Sequence, residues 1–266
     1  SKYRRRRHGS STKDIPAERF VVFAQNHDQI GNRMLGERLT QLVSFEELKL
    51  AAGAVILSPF IPLLFMGEEY GEEAPFQYFI SHGDAGLVAA VRDGRRREFA
   101  GFGWNTEPPD PQDESTFLRA KLNHQLKSDG KFHTLWEFYR ELIRLRKRLS
   151  PLAELSKEQC DVLGFERERV LLLRRWYADD AVMTIFNFND EPVSLALSVA
   201  PGRWLKGLDS ADQHWQGAGS VLPAELGSGQ SAELHLQAKS MALFIRDRDH
   251  QSRLSETDLA IKDPSV

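Results

Sequence analysis

The chain has 266 residues, 41% of them hydrophobic, 27% charged and 10% aromatic, with a formal net charge of −3. That composition excludes a disordered, collagen-like or disulfide-stapled chain, and the charge argues against wholesale nucleic-acid binding. The longest apolar stretch, Leu57–Met66, contains two prolines and falls short of the roughly 18 apolar residues that a membrane helix needs; Cys160 is the single cysteine, so no internal disulfide can form.

Residue 1 is Ser and nothing behind it resembles a signal peptide, so the expectation is a processed or excised chain. The block Arg4–Arg7 fits a phosphate patch or a solvated loop, and the base rate for charge runs favours the loop. Phe20-Val21-Val22-Phe23-Ala24 reads as a strand buried on both faces. The polar cluster Gln25-Asn26-His27-Asp28-Gln29 stands at its C-terminal end as a loop. Ser44 is a good N-cap, Glu46 and Glu47 suit a first turn, and Phe45, Leu48, Ala51, Ala52, Val55 and Ile56 recur at helical spacing until Pro59. Pro62–Met66 is a second apolar run, ending at the polar, glycine-flanked Gly67-Glu68-Glu69-Tyr70-Gly71. The order predicts two parallel strands, 20–24 and 62–66, joined by a crossover helix.

Residues 72–132 read as polar and loop-rich, with short helices near 87–97 and 117–126, and His133–Leu149 as an amphipathic helix with a cationic end, stopped by Pro151. From about Asp161 the texture becomes that of an antiparallel all-β unit. Strands are predicted at 162–165, 170–177, 182–188, 193–199, 203–208, 232–236 and 241–245, before a charged tail.

Ligands of α/β sheets and barrels bind where parallel strands end in loops. Asn26, His27 and Asp28 offer an amide, an imidazole and a carboxylate in one such loop, and Glu68 and Glu69 in the other. The set suits hydrogen bonds to a polyhydroxylated ligand or support of developing positive charge; a turn-capping role for Asp28 is equally open. No third histidine supports a metal site, and there is no Gly-x-Ser-x-Gly elbow, P-loop or dinucleotide fingerprint. Phe99, Phe102 and Trp104 suit sugar stacking or, more commonly, core packing.

Phe23-Ala24-Gln25-Asn26-His27-Asp28 resembles the last of the four short motifs of the α-amylase superfamily of glycoside hydrolases. The extension through Gln29-Ile30-Gly31-Asn32-Arg33 and Gly36-Glu37-Arg38, with Pro62–Gly71 and Arg96-Arg97-Glu98-Phe99, narrows the resemblance to the maltooligosyltrehalose trehalohydrolase family, glycogen branching enzyme being the family most readily confused with it. The resemblance implies an α/β plus all-β fold, the C-terminal part of a (β/α)8 TIM barrel followed by an antiparallel β-sandwich. Residues 1–152 would supply the last two barrel strands and helices, 153–246 the sandwich and 247–266 the charged tail. It implies a retaining hydrolase that releases trehalose from maltooligosyl trehalose, cytoplasmic, acting on an α-glucan oligosaccharide and binding neither nucleic acid nor membrane. Asp28 matches the transition-state-stabilising carboxylate, and Asn26, His27, Gln29, Glu68 and Glu69 the substrate-binding or supporting groups.

Such chemistry uses two carboxylates and no cofactor or metal. The motifs that carry the nucleophile and the acid are absent here, and a barrel takes at least roughly 200 residues where about 150 precede the β region. The expectation is a fragment that is inactive alone, needs the missing N-terminal part of the same enzyme, and exposes an unpaired strand edge that favours self-association. A non-catalytic carbohydrate-binding module, with Trp104, Trp176, Trp204 and Trp215 as platforms, is the reading from another class.

Overall fold

The computed structural model describes residue 5 and residues 9–100, 107–199, 201–227 and 231–247. The arginine block (Arg5 apart), Phe102, Trp104 and the tail beyond Asp247 lie outside the described residues.

Strand β1 (Val21–Val22) pairs in parallel with β2 (Ile61–Pro62), Val21 opposite Ile61 and Val22 opposite Pro62. Ladder bonds run from the Ile61 N–H to the Phe20 carbonyl (3.0 Å) and from the Leu63 N–H to the Val22 carbonyl (2.9 Å). The parallel pair is as expected, but regular pairing covers two residues of the predicted 20–24, and its partner Ile61–Pro62 overlaps the predicted 62–66 only at Pro62. Pro62 has no N–H to donate, and among the described residues no third strand joins this sheet to extend it.

Between the strands lie three helices: α1 (His27–Gly31), α2 (Leu39–Leu42) and the crossover helix α3 (Phe45–Ile56). The segment expected as a polar loop therefore begins as a helical turn, because the Asn26 side chain accepts the Gln29 N–H at 2.9 Å and caps it. Ser44 caps α3 as expected, with a full capping box: its hydroxyl accepts the Glu47 N–H while the Glu47 carboxylate accepts the Ser44 N–H.

Four more helices follow, α4 (Ala85–Ala100), α5 (Glu114–Arg119), α6 (Gly130–Arg148) and α7 (Ser150–Ala153). The helix expected at 117–126 is instead α5 and a separate 3-10 turn, His124–Ser128. The break has a cause: the Asn123 N–H donates to the Glu72 carboxylate (2.6 Å), not to a preceding helical carbonyl.

Among the described residues the β region holds eight strands: β3 (Cys160–Phe165), β4 (Val170–Tyr177), β5 (Asp180–Asn187), β6 (Val193–Ser198), β7 (Trp204–Asp209), β8 (Glu225–Leu226), β9 (Ser231–Leu236) and β10 (Met241–Arg246). All seven predicted strands are found, and only the two-residue β8 is additional. Six form one antiparallel sheet in the order β3-β4-β5-β10-β7-β8, while β6 and β9 pair separately. Residues alternate across the six-stranded sheet. Leu172, Met183, Ile185 and Phe244 face β6 and β9, meeting Leu195, Leu197, Leu234 and Leu236. Leu173, Val182, Phe186 and Leu243 face the helices, meeting Leu48, Ala52, Ile56, Phe138 and Leu142. Burial on both faces explains the unbroken apolar run Val170–Leu173.

Two buried cations, Lys49 and Arg175, fasten the helices to the β region, and the half-buried Arg146 ties α6 to the end of α3. The Lys49 ammonium on α3, fully enclosed, donates to the carbonyls of Ser210 (2.7 Å) and Trp215 (2.9 Å) and pairs with Glu46. Arg146 on α6 donates to the carbonyls of Ile56, Ser58 (2.8 Å) and Phe60 (2.6 Å). Arg175 on β4 donates to those of Leu57 and Ser58 (3.0 Å each) and Glu154 (2.6 Å). Both guanidiniums thus meet the carbonyl end of α3, where orphan acceptors and the helix dipole favour positive charge. Burial nonetheless lowers the Arg175 pKa to about 10.

Candidate functional site

The site grows from the C-terminal end of β1. Gln25 is buried, and its side-chain oxygen accepts the Leu39 N–H at 3.0 Å. Asn26 spends its side chain on the cap of α1. The next two residues, on the exposed first turn, are His27 and Asp28, with Nε2 and Oδ1 3.4 Å apart and side chains 71% and 74% exposed. They open onto a cleft of about 370 Å³, whose far wall is Phe76, Tyr78 and Phe79 with Arg95 of α4 beside them. Among the described residues that line this cleft, Asp28 is the one carboxylate.

The loop after β2 carries the second group of candidates. Gly67 and Gly71 flank the 3-10 turn Glu68–Tyr70 with φ of +88° and +75°. A Cβ on Gly67 would lie 2.7 Å from that of Glu72, so glycine is required twice over, by backbone and by space. Arg38, fully buried, ties this loop to the segment after α1 by donating to the Ala74 (2.6 Å) and Met66 (2.7 Å) carbonyls, with its guanidinium over the Phe65 ring. Glu72 accepts from the Tyr70 hydroxyl (2.8 Å) and the N–H groups of Ala74, Glu73 and Asn123. Burial alone would raise its pKa, but these four donors hold it below the ordinary carboxylate value.

The structure thus brings His27 and Asp28 together in the cleft and places Glu68 elsewhere. Glu68 is 5% exposed, its Oε1 takes a long 3.5 Å contact from the Tyr139 hydroxyl, and its Oε2 has no partner. Burial pushes its pKa up to about 7 against the opposing hydrogen bonds. Glu69 is half-buried, Gln29 is exposed, and neither lines the cleft. Tyr78 and Phe79 are not evident from sequence because they lie in a stretch that reads as loop-rich, and Arg95 because it reads as one more cation on a polar helix. The available signal was the aromatic density of Phe76-Gln77-Tyr78-Phe79.

The proposed tryptophan platforms do not survive as a set. Trp204 is 1% exposed, deep in the sheet core. Trp215 packs edge-on against Phe138, centroids 5.2 Å apart, and Trp176 packs on the core between the sheets with Arg174 over its ring. Phe99, at 1% exposure, is core as well. Among the described residues no cluster of His, Cys, Asp and Glu could hold a metal ion, and no helix is long and apolar enough to cross a membrane.

No family model matches the chain. It is 48% identical over 147 residues to malto-oligosyltrehalose trehalohydrolase of Saccharolobus solfataricus, 55% of this chain and 24% of that protein. It is 39% identical over 201 residues to that of Mycobacterium tuberculosis, 74% of this chain and 34% of that protein, and 42% identical over 198 residues to that of Rhizobium sp. strain M-11. The chain is therefore a relative of the malto-oligosyltrehalose trehalohydrolases, spanning a quarter to a third of their length. Among solved structures it resembles a putative α-amylase from Salmonella typhimurium, with TM-score 0.69 and 31% identity over 87% of this chain and 36% of that one. It also shares its fold with the α-amylase from H. orenii, TM-score 0.53 at 16% identity.

Proposed function

We propose that this chain is the C-terminal portion of a retaining glycoside hydrolase that cleaves the α-1,4 bond next to the terminal trehalose of a maltooligosyl trehalose. The observation that carries the reading is the exposed His27–Asp28 pair, alone in its cleft as imidazole and carboxylate, at the C-terminal end of a parallel strand. Asp28 would stabilise the oxocarbenium-like transition state and grip sugar hydroxyls; His27 would bind the same ring. Asn26 and Gln29 would hold the turn that presents them, and Glu68 and Glu69 would support the site from the loop after β2. In this reading residues 1–152 complete a (β/α)8 barrel, 153–246 form a β-sandwich and 247–266 a charged tail. The nucleophile and the acid then come from the N-terminal part of the enzyme, and this chain alone is inactive, because one carboxylate cannot replace a pair. The family resemblance adds a cytoplasmic location.

The test is a graft. Residues 17–246 replace the matching segment of the Rhizobium relative, and trehalose release from maltotriosyl trehalose is measured. The graft is expected to release trehalose, and Asp28→Asn within it to lower kcat on the order of a hundredfold or more. A folded graft that forms branches but no trehalose moves the reading to glucan branching, and an Asp28→Asn graft of full activity removes Asp28 from the chemistry. Trehalose release by the purified 30.3 kDa chain alone would overturn the claim of inactivity.

A further inference from the structure

We infer that the Tyr78–Phe79 wall of the cleft is a stacking subsite for a glucose ring of an α-glucan, adjacent to the ring that His27 and Asp28 contact; the inference rests on the function proposed above. Tyr78 and Phe79 are 46% and 45% exposed, and both line the cleft. Isolated exposed aromatics are unremarkable on a protein surface, but a pair lining a cleft opposite a carboxylate and an imidazole matches the two-sided chemistry of a pyranose, apolar C–H face and hydroxyl rim. The cleft volume, about 370 Å³, falls within the range of small-molecule sites.

The wall is also rigid. The Arg95 guanidinium lies 5.0 Å from the Tyr78 ring and 4.6 Å from the buried Phe99 ring. Its Nη1 donates to Glu98 (3.0 Å) and its Nη2 to the Gly31 carbonyl (3.4 Å) at the end of α1, the helix that carries His27 and Asp28. Phe79 leans on Phe117, centroids 5.0 Å apart. The backbone on either side is tied down, Phe76 N–H to the Gly36 carbonyl (2.8 Å) and Ile80 N–H to the Pro111 carbonyl (2.7 Å). Arg95 therefore sets the distance between the aromatic wall and the acid–imidazole side, and a ring docked on the wall loses little freedom of the protein.

The experiment titrates maltotetraose into the 266-residue chain, reading affinity by calorimetry and the Tyr and Phe ring resonances by NMR. Tyr78→Ala is expected to weaken binding about five- to tenfold, Phe79→Ala similarly or less, and Tyr78→Phe to restore it to within about twofold, since stacking needs the ring and not the hydroxyl. Asp28→Asn should weaken binding independently. If Asp28→Asn weakens binding while Tyr78→Ala and Phe79→Ala do not, the subsite is refuted and the proposed function stands. If the wall variants weaken binding and Asp28→Asn has no effect, the wall binds sugar but the role given to Asp28 fails. Absence of saturable binding by the folded wild-type chain overturns the inference outright.

Discussion

Two regions of this chain are written with the same kind of apolar run and end in different states. In the six-stranded sheet, β5 is buried at nearly every position from Ala181 to Asn187, flanked by β4 and β10 and covered on both faces. In the parallel pair, Val21 and Met66 are each 51% exposed, and Phe23, Ile61, Leu63 and Leu64 are exposed beside them. An apolar run thus states how much company a strand needs, not that the company is present. The β region finds its neighbours within these residues; the pair β1–β2 presents an apolar surface that a barrel would cover.

Four measurements would break or sharpen that contrast. Trp204→Ala, in the core between the sheets, should cost about 3–5 kcal/mol in urea unfolding; a loss below about 1 kcal/mol would show the sheet region to be as loosely completed as the strand pair. Arg175→Ala should cost about 3 kcal/mol, since the carbonyls of Leu57, Ser58 and Glu154 lose their donor inside the protein. An unchanged midpoint would mean that helices and sheet do not depend on this fastening.

Glu68 tests the ground between the regions by pH. Its folded pKa, about 7, lies above the ordinary 4.5, so the folded state holds the proton more tightly than the unfolded chain. The stability this contributes is fully present below about pH 4.5 and is lost as pH rises through about 7, by up to roughly 3 kcal/mol. Glu68→Gln should flatten that part of the stability profile; a wild-type profile already flat between about pH 5 and 8 would show the carboxylate to be solvated. The smallest effect belongs to the exposed pair. Leu63→Ser and Met66→Ser should change stability by no more than about 0.5 kcal/mol while reducing self-association of the chain measured by light scattering. A large destabilisation would mean that this face is already part of a core.

Much of the architecture was legible because it rests on local physics. Ser44 with Glu47 announced the start of α3, and the alternation or continuity of apolar residues announced β3–β7, β9 and β10. The exceptions were decided by distant partners. The helix expected at 117–126 breaks because Asn123 bonds Glu72, 51 positions away. Likewise the polar cluster after β1 was visible as a candidate site, but the aromatic lining of its cleft was not, since Tyr78 and Phe79 acquire meaning only where the chain folds back near α1, with Arg95 against Tyr78 and Phe117 against Phe79.

The sequence by itself determined the order of elements, the parallel pair with its crossover helix, the antiparallel character of the β region and the cluster Asn26-His27-Asp28, because caps, periodicity and turn chemistry act between near neighbours. Only the tertiary structure decided that Glu68 is buried and does not line the cleft, that Trp204 is core and not a platform, and that Lys49 and Arg175 are interior fastenings. Those outcomes depend on which groups from remote parts of the chain remove water from a side chain and which carbonyls they leave for it to bind.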